Sequence, residues 1–537
     1  MINKIIVSVL IPLVGLVSSC ATTAQNEENK SYGERALEES AIPVRPGIPG
    51  ERPFWNGYSK RFIYAPAFDF KEVENSELYK FELVALEDST QYSFESKKPY
   101  DPLSPVWTDL PVGSYNLLVT GISEGGDILS VAGKREFYRA ASFDGIYHET
   151  SAHYDSSARV ALSSLLHKDY LEYWLEHKAP DPSYVLYRYP SKIYSALVIG
   201  AVSHARLTEG TPEAERSVNL ARIIADNLLS ISFKEGTPLE FFPPTYHGYD
   251  KIFDKKPDSH MQHEHNMITY AADAGNAYLD LYDLTGDQKY LQAAKNIANT
   301  YLKTQLENGS WYLYVSNKTG DPIEEPLTIP TEIINYFDRL RGEYNVEGLE
   351  EATRKALAYT MDNPVKTFDW HGQFEDVKAR KPYQNLSREQ ACNLAMYLFR
   401  NNSSKENIEL AEELLRFSED QFVIWEKPEP LLNSKRGPGG LPQNWITPSV
   451  QEQYVFWRPI ARSSGIMIET FWEAYKASGE EIYLAKAKSL ANTFLIVQEM
   501  HNGDYPTHFT KHKMNFWLNN VVYPAKVLMN FENNMNP

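Results

Sequence analysis

The strongest constraint on this chain is a pattern that it contains twice. Tyr282-Asp283-Leu284-Thr285-Gly286 is followed by Tyr290-Leu291, Ala294-Lys295 and Ile297-Ala298-Asn299-Thr300. Tyr475-Lys476-Ala477-Ser478-Gly479 is followed at the same spacings by Tyr483-Leu484, Ala487-Lys488 and Leu490-Ala491-Asn492-Thr493. Each copy reads as a helix, a turn ended by Gly and a second amphipathic helix. A Gln and an Asn-Gly close each copy: Gln305 with Asn308-Gly309, and Gln498 with Asn502-Gly503. Looser copies turn at Thr208-Glu209-Gly210, Arg341-Gly342 and Asn401-Asn402. Adding the helical stretches near 156–178 and 515–533 gives about six hairpins. One such hairpin cannot bury its apolar face alone, whereas six in a circle bury it against their neighbours. The expected fold is therefore mainly α, an (α/α)6 toroid over residues 143–537. A linear solenoid is the alternative, but its repeats are usually shorter and more uniform.

The segment before the repeats has another character. Phe62-Ile63-Tyr64, residues 78–83, residues 91–94, residues 115–119 and Phe137-Tyr138 are short β-prone runs separated by turn formers such as Pro111-Val112-Gly113 and Glu124-Gly125-Gly126. That pattern predicts a small antiparallel β-sandwich over residues 42–142, similar at the level of fold to fibronectin type III or immunoglobulin-like modules. The first residues hold one Lys, an apolar run at 5–17 and Ser18-Ser19-Cys20. They read as a lipoprotein signal peptide over 1–20, with Cys20 lipidated and a polar, flexible tether over 21–41. The expected location is the outer membrane, with the lipid anchor as the membrane contact. Only Cys20 and Cys392 are present, so a zinc site with several Cys ligands is excluded. The net charge of −18 argues against nucleic acid as a partner.

In a toroid the loops entering the inner helices converge on one rim. Here those loops are unusual. One reads Tyr246-His247-Gly248-Tyr249, then residues 258–266 with His260, His263, Glu264, His265 and Asn266; it carries four of the chain's 13 His. Others hold Trp370, His371, Glu375 and Asp376; Glu452, Tyr454, Trp457 and Arg458; Tyr505 and His508; and His153 near the domain junction. The turns on the other side are ordinary Gly, Asn, Asp and Glu.

Three chemistries fit such a rim. A cation could sit among His260, His263, Glu264 and His265, but the spacing is not His-Glu-x-x-His, so no metal and no cofactor is assigned. Glycoside hydrolysis needs two carboxyl groups across the scissile bond, and Glu264, Glu375, Asp376 and Glu452 are available. β-Elimination beside a uronic acid carboxylate needs a neutraliser, a base and an acid. His263, His265, Asn266, Tyr454, Tyr505 and His508 supply those types, and a Tyr near Arg458 is expected to have its proton affinity lowered.

The Tyr-x-x-x-Gly turns, residues 370–376, Glu452-Gln453-Tyr454 and Tyr505-Pro506-Thr507 with Trp517 resemble six-hairpin-toroid proteins of polysaccharide-utilisation loci in Bacteroidota. The resemblance implies a lipoprotein acting on uronic-acid-containing glycans as a lyase, dehydratase or glucuronidase, with ulvan-type glycans the favoured class. The paired Asp of unsaturated glucuronyl hydrolases and the Asn-Asn-His-type signature of toroidal alginate lyases are not placed. The leading expectation is elimination. His263, His265, Asn266, Tyr454 and Tyr505 are its catalytic set, with Glu375 and Glu452 as the carboxylates of a hydrolase alternative. Trp370, His371, Arg458, Trp457, His508, Tyr246 and His153 are expected to bind an anionic glycan. A non-catalytic glycan-binding lipoprotein is the third reading.

Overall fold

The computed structural model describes residues 30–48, 54–246, 264–375, 383–401, 403–425, 445–454, 456–509 and 516–535. The first described element is a helix, α1 (Tyr32–Glu39), inside the stretch expected to be a tether. Ser31 caps it and Glu34 answers from N3, a complete capping box. Arg35 pairs with Glu480, and Glu39 reaches Lys486 at 3.2 Å, so α1 is docked on the helical domain.

The β-prone runs form strands β1 (Arg61–Phe62), β2 (Leu78–Ala85), β3 (Gln91–Ser96), β4 (Gly113–Ile122) and β5 (Ile128–Arg139), with a short helix, α2 (Ser104–Trp107), before β4. They make one five-stranded sheet of order β1-β5-β4-β2-β3, not the expected two-sheet sandwich. Alternation explains the strands: Tyr79, Phe81 and Leu83 on β2 and Tyr115, Leu117 and Val119 on β4 all point to one buried face. That face is covered by Trp107, Leu103, Leu110, Phe68 and Phe70 from α2 and the connecting segments, in place of a second sheet. Trp107 donates its indole N–H to the Ile63 carbonyl at 2.8 Å, which fixes the cover.

The remainder is helical: α3 (Tyr154–Leu166), α4 (Asp169–His177), α5 (Pro190–Leu207), α6 (Pro212–Ile231), α7 (Ala271–Thr285), α8 (Gln288–Thr304), α9 (Thr331–Tyr344), α10 (Glu350–Thr360), α11 (Glu389–Arg400), α12 (Lys405–Phe422), α13 (Ala461–Ser478), α14 (Glu481–Met500) and α15 (Leu518–Met535). Contacts run α5 to α7, α7 to α9, α9 to α11, α11 to α13, α13 to α15 and α15 back to α5. The inner ring is therefore closed. Outer helices α6, α8, α10, α12 and α14 each pack on the inner helix before them, and α3 packs on α15. Six hairpins form the expected toroid. No helix among the described residues is long and apolar enough to cross a membrane.

The twice-repeated pattern has two structural reasons. Gly286 and Gly479 end α7 and α13 with φ of 69° and 75°, a left-handed turn that sends the chain into the outer helix. Gln305 donates to the Gly309 carbonyl and to Ala352 on the next outer helix, both at 2.9 Å. Gln498 does the same to Gly503 and to Ser157 on α3. The repeated Gln thus joins one hairpin to its neighbour. The turn expected at Arg341-Gly342 falls later: α9 continues to Tyr344, and Asn345 adopts the left-handed conformation at φ 53°.

Sheet and ring are fastened by buried acids. Asp420 accepts from the backbone N–H of Ile63 at 2.6 Å and of Tyr64 at 2.8 Å. Glu419 accepts from the Tyr64 hydroxyl at 3.0 Å, from Trp425 at 2.9 Å and from Lys486 at 2.8 Å.

The ring also depends on close helix approach. A Cβ added at Gly275 on α7 stands 2.4 Å from the Tyr336 ring of α9. We expect Gly275→Ala to destabilise the chain by about 1–3 kcal/mol in urea denaturation through overpacking, despite the better helix propensity of Ala. A more stable variant would refute the close approach.

Candidate active site

The six inner helices start at one face of the ring, and their first turns carry the charge. Lys192 is the third residue of α5, Asp273 the third of α7, Glu332 the second of α9, Glu389 the first of α11 and Arg462 the second of α13. Tyr523 and Asn520 come from the start of α15. These groups act on one another electrostatically, so the helix starts converge on the axis. Acids at helix N-termini are favoured by the helix dipole, and cations there are not. Lys192 and Arg462 accordingly have carboxylate partners. Lys192 holds Glu375 at 2.7 and 3.0 Å, and Arg462 holds Glu389 at 2.7 Å. Arg462 also lies over the Tyr523 ring at 4.5 Å, with its backbone N–H donating to Asn520 at 3.2 Å.

The loop residue Glu375 is brought to this ring by its neighbours. The Tyr246 hydroxyl donates to its carbonyl, the Tyr270 hydroxyl to its carboxylate, and the Tyr314 hydroxyl to the Phe374 carbonyl at 3.1 Å. Burial works to raise the Glu375 pKa, but Lys192 overrides it and holds the carboxyl below its usual range. Burial likewise opposes ionisation of Glu389, and Arg462 and Arg388 outweigh it.

Asp273 and Glu332 differ. Neither has an ion-pair partner among the described residues. Burial pushes Asp273 up to about 6, with Arg462 acting against it. Burial and then the charge of Asp273 push Glu332 up to about 8. Glu332 accepts one hydrogen bond, from Thr269 at 2.9 Å. Asp273 Oδ2, the Tyr523 hydroxyl and Gln390 Oε1 are buried with no hydrogen-bond partner among the described residues. The result is two carboxyls whose proton affinities burial raises to different extents, among buried polar atoms left unused by the described residues. That is a general-acid and base arrangement.

The residues expected from sequence are dispersed. Glu375 is in this ring, and Tyr246 supports it. Asn266 is buried in strand β6 (His265–Met267), where its Oδ1 accepts from Thr245 N–H at 2.7 Å and holds the loop; His265 stands beside it, half-buried. β6 pairs with β7 (Tyr314–Ser316). Glu452 contributes its carbonyl, which accepts from Arg388 at 2.7 Å. His371 lies 3.7 Å from Asp369 and contacts Gln373 at 3.1 Å. Trp370 is fully buried in the core, where no sugar ring can stack on it. Arg458 is half-buried on a rim strand, and His508 is buried against Trp517. Tyr454 is buried at the sheet junction, donating to Gln421, and burial raises its pKa well above the usual value. Tyr505 is buried beside Ser157 at 2.6 Å between α3 and α14, with its pKa also raised. The lowered Tyr proton affinity expected beside Arg is thus reversed at both positions, because burial dominates. His153 is exposed and pairs with Glu532 at the far end of α15, on the opposite face. His263, Asp376, Cys20 and the Trp457 side chain lie outside the described residues.

Asp273, Glu332, Glu389 and Arg462 do not stand out in the sequence, because they lie in the first turns of helices and not in the loops rich in His, Trp and Tyr. The available signal was charge in the first turn of otherwise apolar inner helices, most visibly Lys192 and Arg462 against the dipole.

No protein-family model and no curated protein matches the chain. Solved structures similar to it include a family 76 glycoside hydrolase from a bovine Bacteroides thetaiotaomicron strain, at 11% identity over 88% of this chain and 100% of that one, with TM-score 0.48. A cellobiose 2-epimerase from Spirochaeta thermophila is similar at 14% identity over 71% and 98%, with TM-score 0.47. An unsaturated glucuronyl hydrolase specific for heparin is similar at 10% identity over 72% and 97%, with TM-score 0.44. Similarity at this level fixes neither substrate nor reaction.

The raised pKa of Glu332 has a stability consequence. Its folded-state value lies above the ordinary one of about 4.3, so its contribution is complete below that value and is lost as pH rises through about 8. Thermal melts of Glu332→Gln should therefore gain on the parent between pH 5 and pH 9. A difference independent of pH would show that Glu332 ionises freely.

Proposed function

We propose that the chain is a carbohydrate-active enzyme that hydrolyses glycosidic bonds at the axial mouth of the ring. The observation that carries this reading is the pair of buried carboxyls at the starts of neighbouring inner helices, Glu332 and Asp273, with no ion-pair partner among the described residues and Asp273 Oδ2 unbonded there; burial raises both, towards about 8 and about 6. Glu332 is the general acid: it donates its proton to the glycosidic oxygen as the bond to the anomeric carbon breaks. Asp273 is the ionised partner, which attacks that carbon or activates the water that does. One water is consumed, and a new reducing end and an alcohol are formed. Asn520, Gln390 and Tyr523 offer hydrogen bonds to sugar hydroxyls.

Uronate-bearing glycans, including the ulvan type to which the sequence resemblance points, are the favoured substrates in this proposal. Arg462 uses one side-chain N–H on Glu389 among the described residues, which leaves guanidinium donors for a substrate carboxylate. Elimination stands second. Tyr523, unpartnered and beside Arg462, is the observation in its favour, but burial raises the pKa of that hydroxyl and a base needs it lowered. Export and a lipid anchor at Cys20 remain part of the proposal. Cys20→Ser should move the protein from the membrane to the soluble fraction of the producing cell, and an unchanged distribution would remove the anchor.

The chemical test is incubation of residues 21–537 with a panel of uronate oligosaccharides, following product mass and ultraviolet absorbance together. Hydrolysis adds one water to the products without a new chromophore. Glu332→Gln and Asp273→Asn should each lower kcat by roughly 10²–10⁴-fold. The parent's kcat/KM should be bell-shaped, with limbs near about 6 and about 8. A conjugated uronate product would move the assignment to elimination, and full activity in Glu332→Gln would overturn the acid.

A further inference from the structure

The ring has one joint that no turn spans. The other inner helices pass through a short connection into their own outer partner, whereas α15 is the last described helix and its partner α3 is the first of the ring. Tertiary contacts hold this joint. The Tyr154 and Phe531 rings stand 5.6 Å apart, while the Tyr154 hydroxyl donates to Asn492 of the neighbouring outer helix α14 at 2.7 Å. The Tyr154 backbone N–H donates to Glu532 Oε2 at 3.0 Å, and His153 Nδ1 lies 3.0 Å from Glu532 Oε1.

His153 and Asp155 from the start of α3 and Glu532 from the end of α15 each present one ligand atom, all within 4.8 Å of one another. Glu532 is buried and His153 is exposed. Two cavities, of about 940 and 570 Å³, meet at this cluster. The larger is lined by Tyr154 and Glu532, the smaller by His153 and Ser156, and both reach Glu149 and Thr150.

We propose that His153, Asp155 and Glu532 form a divalent-cation site of the zinc class that staples the first helix of the ring to the last. The donor set is one imidazole nitrogen and two carboxylate oxygens, the mixed set that zinc accepts. Donors on a tetrahedral zinc stand roughly 3.4 Å apart, given bonds of about 2.1 Å. A separation of up to 4.8 Å closes by about 1.4 Å at most, through side-chain rotation of the exposed His153 and the half-buried Asp155. Glu532 is already oriented, because the Tyr154 N–H holds Oε2 and turns Oε1 to the imidazole. The Ser156 N–H holds Asp155 Oδ1 in the same way. Water from the cavities completes the fourth position. The cation takes the place of the proton that His153 shares with Glu532 and releases it to solvent. The site is at the opposite face from the charged ring of Glu332 and Asp273 and does not rest on their role.

The test uses the untagged chain stripped of metal by a chelator, titrated with zinc alone, and with cobalt as a visible probe. The parent should take up one equivalent more than His153→Ala, and its thermal midpoint should rise with zinc while that of the variant does not. Asp155→Asn should weaken the same equivalent by at least about tenfold. The cobalt absorption of a four-coordinate centre should vanish in His153→Ala. Because His153 is exposed, its loss leaves the core intact, and a melt without metal confirms this. No zinc uptake by the parent, or equal stoichiometry and equal thermal shift in parent and variants, would overturn the site.

Discussion

Closure of the inner ring is the constraint on which the rest of the structure depends. Helix α5 is buried along nearly its whole length, with only Lys192, Arg206 and Leu207 left partly or fully open. A helix that is apolar all round has no stable place at a surface. It needs an inner neighbour on each side and an outer partner behind, and a ring supplies these for every hairpin at once. Closure also aligns the inner helices in one direction. Turns such as those at Gly286 and Gly479 then fall on one face, and the helix starts on the other. The converging N-termini are thus a result of burying six apolar stripes, before any chemistry is considered.

That geometry sets the charge problem at the mouth. Six helix starts bring positive dipole ends together, and carboxyls at Asp273, Glu332 and Glu389 answer them. Lys192 and Arg462 go against the same field and are held there by Glu375 and Glu389. Once those pairs are made, Asp273 and Glu332 have no ion pair of their own among the described residues and feel Arg462 only at a distance. Desolvation outweighs that distant attraction, and the proton affinity of both carboxyls rises. The split in their proton affinity follows from which neighbours are already committed. A site of this kind costs stability above the pKa of Glu332, which a large closed core can tolerate.

The fold was largely legible in the sequence because its signals are local. Gly286 and Gly479 mark real left-handed turns, and the repeated Gln marks a real tie between hairpins. The β-prone runs were also real strands, but alternation reports only that one face is buried. What covers it is a non-local fact, and here Trp107 and the Phe68–Phe70 segment do so. The site was less legible. Loops rich in His, Tyr and Trp looked chemical, yet Trp370, Tyr454 and Tyr505 are aromatic packing for those loops. Glu375 stood out among the loop residues and lies on Lys192 in the ring, while Asp273 and Glu332 read as ordinary helix-start acids. Only the third dimension shows that their neighbours' charges are already paired.

Net charge separates capture at a distance from recognition at contact. A chain at −18 repels a polyanionic glycan over long range, so steering cannot deliver one to the mouth. That repulsion is screened beyond a Debye length of about 8 Å at physiological salt. Any attraction for an anion would have to be local, and within the ring Arg462 holds Glu389 through one nitrogen and keeps further donors in its planar fork. Lys192 is closer to saturation, with both Glu375 oxygens on its ammonium. The asymmetry between the two cations leaves Arg462 as the one with donors to spare, which is the feature the proposed uronate recognition rests on. Those donors lie close enough to Asp273 and Glu332 for the charges to act on one another.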